Sequence, residues 1–128
     1  MPRAVLDASA VVALLRDEPG ADLVADYVGD ALISTVTLQE VIKALLVRGV
    51  ALTVVRAMIE SLNLECRPHE VEDAYAAAAL FQATKVKGSG LGDRTCLALA
   101  IAESLPVITT DKAWSALAIP GLSVIQAR

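Results

Sequence analysis

Aromatic side chains are nearly absent from this 128-residue chain: one Trp, two Tyr and one Phe make up 3% of a sequence that is 55% hydrophobic. The core must therefore be built from alanine, valine and leucine, and stacking of flat ligands on aromatic faces is a poor candidate for the main mode of recognition. Cysteine and histidine are as scarce. Cys66 and Cys96 match no zinc-ligand spacing, and His69 alone cannot supply a histidine-rich site. Both cysteines are expected to be reduced, small apolar packing residues. Long apolar runs are missing as well. The longest, residues 74–81, is far shorter than the roughly 18 to 20 residues that cross a bilayer. Asp7 interrupts any signal-peptide core, so a cytoplasmic protein is expected. Finally there is no basic excess: 15 acidic side chains face 11 basic ones, for a formal charge of -4 and a pI near 4.9. That balance argues against a broad basic surface laid on nucleic acid or an anionic membrane.

What is present suits a globular domain. A chain of this size buries roughly two-thirds of the surface its unfolded form exposes, so a core needs neither disulfide nor structural metal. The high apolar fraction and small net charge exclude disorder. No repeat, low-complexity tract or linker divides the sequence, and short apolar runs alternate with helical patterns. Strands are predicted at 4–6, 31–33, 64–66 (an edge), 106–108 and 122–125. Helices are predicted at 8–15, ended by Asp17-Glu18-Pro19-Gly20, and at 19–28, 38–48, 52–62, 70–85, 93–104 and 112–117. Ser34, Thr35 or Thr37 can cap the third, and Gly49 ends it. The helix at 52–62 is apolar around much of its circumference, which predicts packing on more than one side. Gly88-Ser89-Gly90 reads as a flexible connection. Such alternation implies an α/β fold with a mostly parallel sheet covered on both faces.

Ligands of parallel sheets bind where strands end and helices begin. Asp7 follows the first strand and Asp111 the strand at 106–108. Asp93 opens a helix, and Glu40 lies near the start of the helix after 31–33. Each has an ordinary explanation: the aspartates as helix caps or first-turn acids, Glu40 as a solvated helix residue. Their conjunction is harder to dismiss. Two carboxylates roughly 4 Å apart repel by about 4 kcal/mol at an effective dielectric of 20, so a converging set requires a multivalent cation. An all-oxygen, anionic donor set selects Mg²⁺ or Mn²⁺ over zinc or copper.

Four segments carry a resemblance. Val5-Leu6-Asp7-Ala8-Ser9-Ala10, Thr37-Leu38-Gln39-Glu40-Val41, Leu91-Gly92-Asp93-Arg94-Thr95-Cys96-Leu97-Ala98-Leu99-Ala100 and Leu105-Pro106-Val107-Ile108-Thr109-Thr110-Asp111-Lys112-Ala113-Trp114 resemble, in order and separation, the motifs of PIN-domain ribonucleases, most closely the VapC toxin branch. The resemblance spans essentially the whole chain, read as a single PIN domain over 1–128. It implies a three-layer α/β/α sandwich around a parallel sheet of four or five strands. It also implies an acidic metal site of Asp7, Glu40, Asp93 and Asp111 holding one or two Mg²⁺ or Mn²⁺ ions, with Ser9 and Thr109 as supporting hydroxyls. The implied activity is metal-dependent hydrolysis of RNA phosphodiesters, in structured transfer or ribosomal RNA, that inhibits translation. A VapB-like antitoxin, a homodimer and a higher toxin-antitoxin assembly are implied as partners.

Lys85, Lys87, Arg94 and Lys112 are proposed to contact RNA phosphates; the alternative is ordinary surface charge, with Arg94 pairing a site carboxylate. Trp114 is expected to anchor the core, and His69 to be a loop or cap residue. A receiver-like, Mg²⁺-binding phosphoacceptor domain is the rival of similar size. It fits poorly, because it needs adjacent acids after the first strand and a phosphoacceptor aspartate after the third, where Cys66-Arg67-Pro68 stands instead.

Overall fold

Five short strands, all parallel, form one sheet in the computed structural model of the chain, which describes residues 1–85 and 90–128. They are β1 (Ala4–Leu6), β2 (Ala31–Ser34), β3 (Glu65–Arg67), β4 (Val107–Thr109) and β5 (Val124–Gln126), in the order β3-β2-β1-β4-β5. The central strands β1, β2 and β4 are buried at every residue. This suits their unbroken apolar runs, since a parallel sheet covered on both faces has no solvent side to accommodate polar alternation. The edge strand β3 is largely exposed.

Helices α1 (Ala8–Leu15), α2 (Ala21–Ala25), α3 (Thr35–Val47), α4 (Leu52–Glu60), α5 (Val71–Ala78), α6 (Phe81–Thr84) and α7 (Leu91–Glu103) account for the rest, with a 3₁₀ turn at Lys112–Ala116. One core cluster gathers Leu6, Val11, Val24, Ile33, Val41, Leu45 and Ile108; the other gathers Val5, Leu32, Cys96, Leu97, Ala100, Val107 and Trp114. Adjacent residues of β1, β2 and β4 thus point to opposite faces, which makes the three-layer α/β/α arrangement of the PIN-like kind expected. Trp114 is the largest fully buried side chain and anchors the second cluster. Among the described residues no helix is long and apolar enough to cross a membrane.

Several expectations are corrected. The helix predicted at 70–85 is broken: α5 ends at Ala78, and Leu80 (φ -84°, ψ 2°) turns inward to pack on the Trp114 cluster before α6 restarts at Phe81. The helix predicted at 19–28 shrinks to α2, because Gly20 adopts φ 99° and lies against Ala127, where a Cβ would approach the Ala127 carbonyl oxygen to 2.7 Å. Helix α4 does not pack on several sides. Only Val55 is fully buried, while Leu52 and Val54 are 56% and 49% exposed. Of the two cysteines, Cys96 is buried as expected, but Cys66 lies exposed on the sheet edge and packs no core. Lys87, Gly88 and Ser89 lie outside the described residues.

Candidate functional site

The chain reverses direction across the sheet at β1: β2 pairs on one side and β4 on the other. This is the switch point at which loops part and leave a crevice at the strands' carboxyl ends. Asp7 follows β1 there, and Thr109, Thr110 and Asp111 end β4. Asp7 occupies the N-cap position of α1 without making a side-chain cap bond, so the ordinary capping role does not account for it. Its side chain is instead 5% exposed and held by two hydroxyls. Ser9 Oγ donates to Asp7 Oδ2 at 2.7 Å, and Thr109 Oγ1 donates to the same oxygen at 2.8 Å. Those hydroxyls also accept. Thr110 N–H donates to Ser9 Oγ and Asp111 N–H to Thr109 Oγ1, each at 3.0 Å. The ends of β1 and β4 are thereby stitched together around one carboxylate.

Glu40 reaches this place from α3. Ser34 caps that helix by accepting from Val36 N–H at 3.1 Å, and Thr37, Val41 and Leu45 bury one face of it. Glu40, next to Val41 in sequence, is left half-buried at the boundary of that face. Asp93 lies in the first turn of α7 and is also half-buried, while Asp111 is exposed and caps the 3₁₀ turn by accepting from Ala113 N–H at 2.9 Å. Capping and site membership are compatible for Asp111, since the bond engages Oδ1 alone.

Electrostatics ties the set together. Burial raises the Asp7 carboxyl, only partly opposed by the Ser9 and Thr109 hydroxyls and the Ala8 N–H, and Asp111 raises it further. Burial likewise raises Glu40, with repulsion from Asp7 and Asp93 added, and Asp93, with repulsion from Asp7 and Asp111 added. Buried Cys96, whose thiol donates to the Leu6 carbonyl at 3.7 Å, is pushed well up by desolvation first and then by Asp7, Glu40 and Asp93. It stays a neutral thiol beneath the carboxylates. Glu40, Asp93 and Asp111, from three different elements, are thus each coupled to the buried Asp7. Among the described residues, however, no group of three or more His, Cys, Asp or Glu side chains is set closely enough to hold an ion as it stands.

The donor chemistry fits a hard divalent cation. Carboxylates raised by burial, with repulsion from their neighbours added, are groups that such a cation relieves, and a recess in the first turn of α7 accommodates one of them: a Cβ at Gly92 would overlap the Glu40 carboxylate. Arg94 lies close enough to Asp93 to lower its pKa, in keeping with the pairing role weighed for it. Lys112 is exposed beside Asp111, and Lys85 is exposed at the end of α6.

A groove of about 500 Å³ opens from Ser9, Glu40 and Thr110 and is lined by Lys43, Arg48 and Arg128. The sequence reading missed these three cations. Lys43 was legible, since three positions on a helix place it beside Glu40, but nothing local connects Arg128 to the site. Arg48 and Arg128 each donate one N–H to a backbone carbonyl, of Ala44 and Pro19 respectively, and have further donors to offer.

The fold has counterparts among known proteins. The PIN domain family model matches residues 4–120. The chain is similar in structure to a DNA-bound VapBC complex from Salmonella typhimurium (TM-score 0.75, 18% identity, 100% of both chains covered). It is similar also to a toxin-antitoxin complex from Klebsiella pneumoniae (0.76, 22%, 98% of both chains). A third similar structure is VapBC-5 from Mycobacterium tuberculosis (0.62, 27%, 98% of this chain and 99% of that one). No curated protein matches the chain significantly.

Proposed function

This chain belongs to the PIN domain family, and from that premise we propose that it is the nuclease toxin of a toxin-antitoxin pair, a Mg²⁺- or Mn²⁺-dependent endoribonuclease centred on Asp7, Glu40, Asp93 and Asp111. The observation that carries the reading is the buried Asp7, held by the Ser9 and Thr109 hydroxyls where β1 and β4 end, with Glu40, Asp93 and Asp111 each near enough to interact with it electrostatically. A domain that only needed stability would not gather further acids around a buried aspartate.

One or two divalent ions bound there would lower the pKa of a water and offset the charge that grows on a phosphodiester during hydrolysis. The residues divide the remaining work. Both hydroxyl donors engage Asp7 Oδ2, which fixes the carboxylate plane and leaves Oδ1 free of a hydroxyl donor. Glu40 and Asp93 face Asp7 from the helix side, and Asp111 closes the set from β4. The groove cations Lys43, Arg48 and Arg128 would follow the RNA backbone on one flank, with Arg94 and Lys112 nearer the acids and Lys85 an outer phosphate contact; the sequence offers Lys87 as a further one. With so few aromatics, shape and backbone recognition of structured transfer or ribosomal RNA suits the surface better than base stacking. Cleavage of such RNA would halt translation.

A cytoplasmic nuclease of this kind requires restraint, which a VapB-like antitoxin would provide, within a homodimer or larger assembly. An apolar groove of about 360 Å³ between α3 and α4, lined by Leu38, Ile42, Leu52, Val55, Ile59 and Leu64, offers such a partner a surface. The test is incubation of the purified protein with total RNA. Cleavage should require Mg²⁺ or Mn²⁺ and stop in a chelator; undiminished cleavage in a chelator would remove the metal-dependent reading.

A further inference from the structure

Gly92 lies inside α7, and its backbone gives no reason for a glycine. Among the described residues the glycines with positive φ are Gly20, Gly29, Gly49 and Gly121, and Gly92 is not one of them. Within a helix glycine is a poorer choice than alanine, because it loses more backbone freedom on folding. The explanation is space. A Cβ at Gly92 would fall within the carboxylate of Glu40, overlapping Cδ and both oxygens. Gly90, two residues earlier, has nothing within 4 Å of its own Cβ position, so the crowding at position 92 is not shared by the residue that caps α7.

We infer that Gly92 is a positioning residue: its missing side chain is the recess that seats Glu40 against the first turn of α7, beside Asp93 and facing Asp7. The inference rests on the metal-site reading above. Glu40 belongs to a different helix and is half-buried, so its packing against α7 helps to hold it there. The opposing pull is present on its own helix, where Lys43 attracts it. A methyl group at position 92 evicts the carboxylate from the recess and sends it toward Lys43, away from Asp7 and Asp93. The four-acid set becomes a three-acid set while the fold is kept.

Mn²⁺ titration calorimetry on the full chain tests this, together with thermal unfolding of the metal-free protein. Gly92→Ala should weaken Mn²⁺ binding by about tenfold or more, the scale seen when a group orienting a metal ligand is lost. An affinity within about twofold of the original chain's, in a folded variant, overturns the assignment. If Gly92→Ala alone fails to fold, adding Glu40→Ala must restore folding. In a Glu40→Ala background Gly92→Ala should raise the melting temperature, because alanine's better helix propensity is then unopposed. A fall there shows that the methyl group meets something other than Glu40 and likewise overturns the inference. A starting protein that binds no Mn²⁺ refutes the metal-site reading itself, and this inference with it; strong binding that ignores the methyl group refutes only the role of Gly92.

Discussion

Thr109 and Asp7, 102 positions apart in the chain, are joined by a 2.8 Å hydrogen bond in which the threonine hydroxyl donates to Oδ2, while the same hydroxyl accepts from the Asp111 N–H at 3.0 Å. One fully buried side chain therefore orients the first acid and the turn that carries the last. Replacing it with valine keeps the shape and removes both bonds. Thr109→Val should cost about 1–3 kcal/mol of stability, because the Asp111 N–H loses its acceptor and the buried Asp7 carboxylate loses one of its two hydroxyl donors, and should reduce activity. Denaturant unfolding beside a cleavage assay checks both. Ser9→Ala, whose site is less buried, should show the same pattern with a smaller stability loss.

Asp7→Asn should make the metal-free protein more stable and the enzyme inactive. The amide oxygen still accepts from Ser9 and Thr109, but the buried charge and its repulsion with Asp111 are gone. A gain on the order of 1 kcal/mol, a few degrees in melting temperature, is the usual scale when a strained functional group is neutralised. Thermal unfolding in a chelator measures it.

The raised carboxyls fix the sign of the pH response. Asp7, Glu40 and Asp93 all bind protons more readily in the folded chain than in the unfolded one. Between the two values the native state holds more protons, so their contribution to stability is greatest below the unfolded carboxylate range and is lost as pH rises through the folded values. Divalent ions need the deprotonated forms, so Mn²⁺ affinity should fall as pH drops, with proton release on binding that grows toward acid. Calorimetry in buffers of different ionisation heat counts those protons.

Lys43→Glu and Arg128→Glu should weaken RNA binding without altering the fold, since both are exposed and line the groove beside Ser9 and Glu40. Each should also flatten the dependence of log affinity on log salt, by roughly 0.7 to 0.9 for each phosphate that is no longer neutralised. Filter binding at several salt concentrations, with a chelator present to prevent cleavage, measures the slope. Unchanged slopes would place the substrate elsewhere.

Trp114→Ala should destabilise by about 3–5 kcal/mol, because the side chain is 1% exposed in the second core cluster. Its intrinsic fluorescence should not respond to RNA.

The strands and their order of appearance were legible because buried parallel strands are unbroken apolar runs, and Ala4-Val5-Leu6 and Val107-Ile108 carry no competing pattern. The convergence of Asp7 with Asp111 was legible only in part. Strand exits announce themselves in sequence, whereas the Thr109 bond joining them depends on β1 and β4 being neighbours across the sheet. Helix breaks were harder, since nothing in the alanine-rich segment before Leu80 says that this leucine turns inward. The exposed apolar side of α4 was also hidden: hydrophobic composition states what a helix can bury, not whether a partner is there. Gly92 carries no sequence signal of its role. Its relation to Glu40 exists only once α3 and α7 are packed.

The most direct measurement is RNA cleavage by purified Asp7→Asn and the unmodified chain, prepared in parallel, in Mn²⁺. Loss of cleavage by at least about a hundredfold in the variant, with its fold intact and its Mn²⁺ binding abolished, is the expected result; such a loss corresponds to about 2.7 kcal/mol of transition-state stabilisation. Equal cleavage by the two proteins would contradict the carboxylate centre.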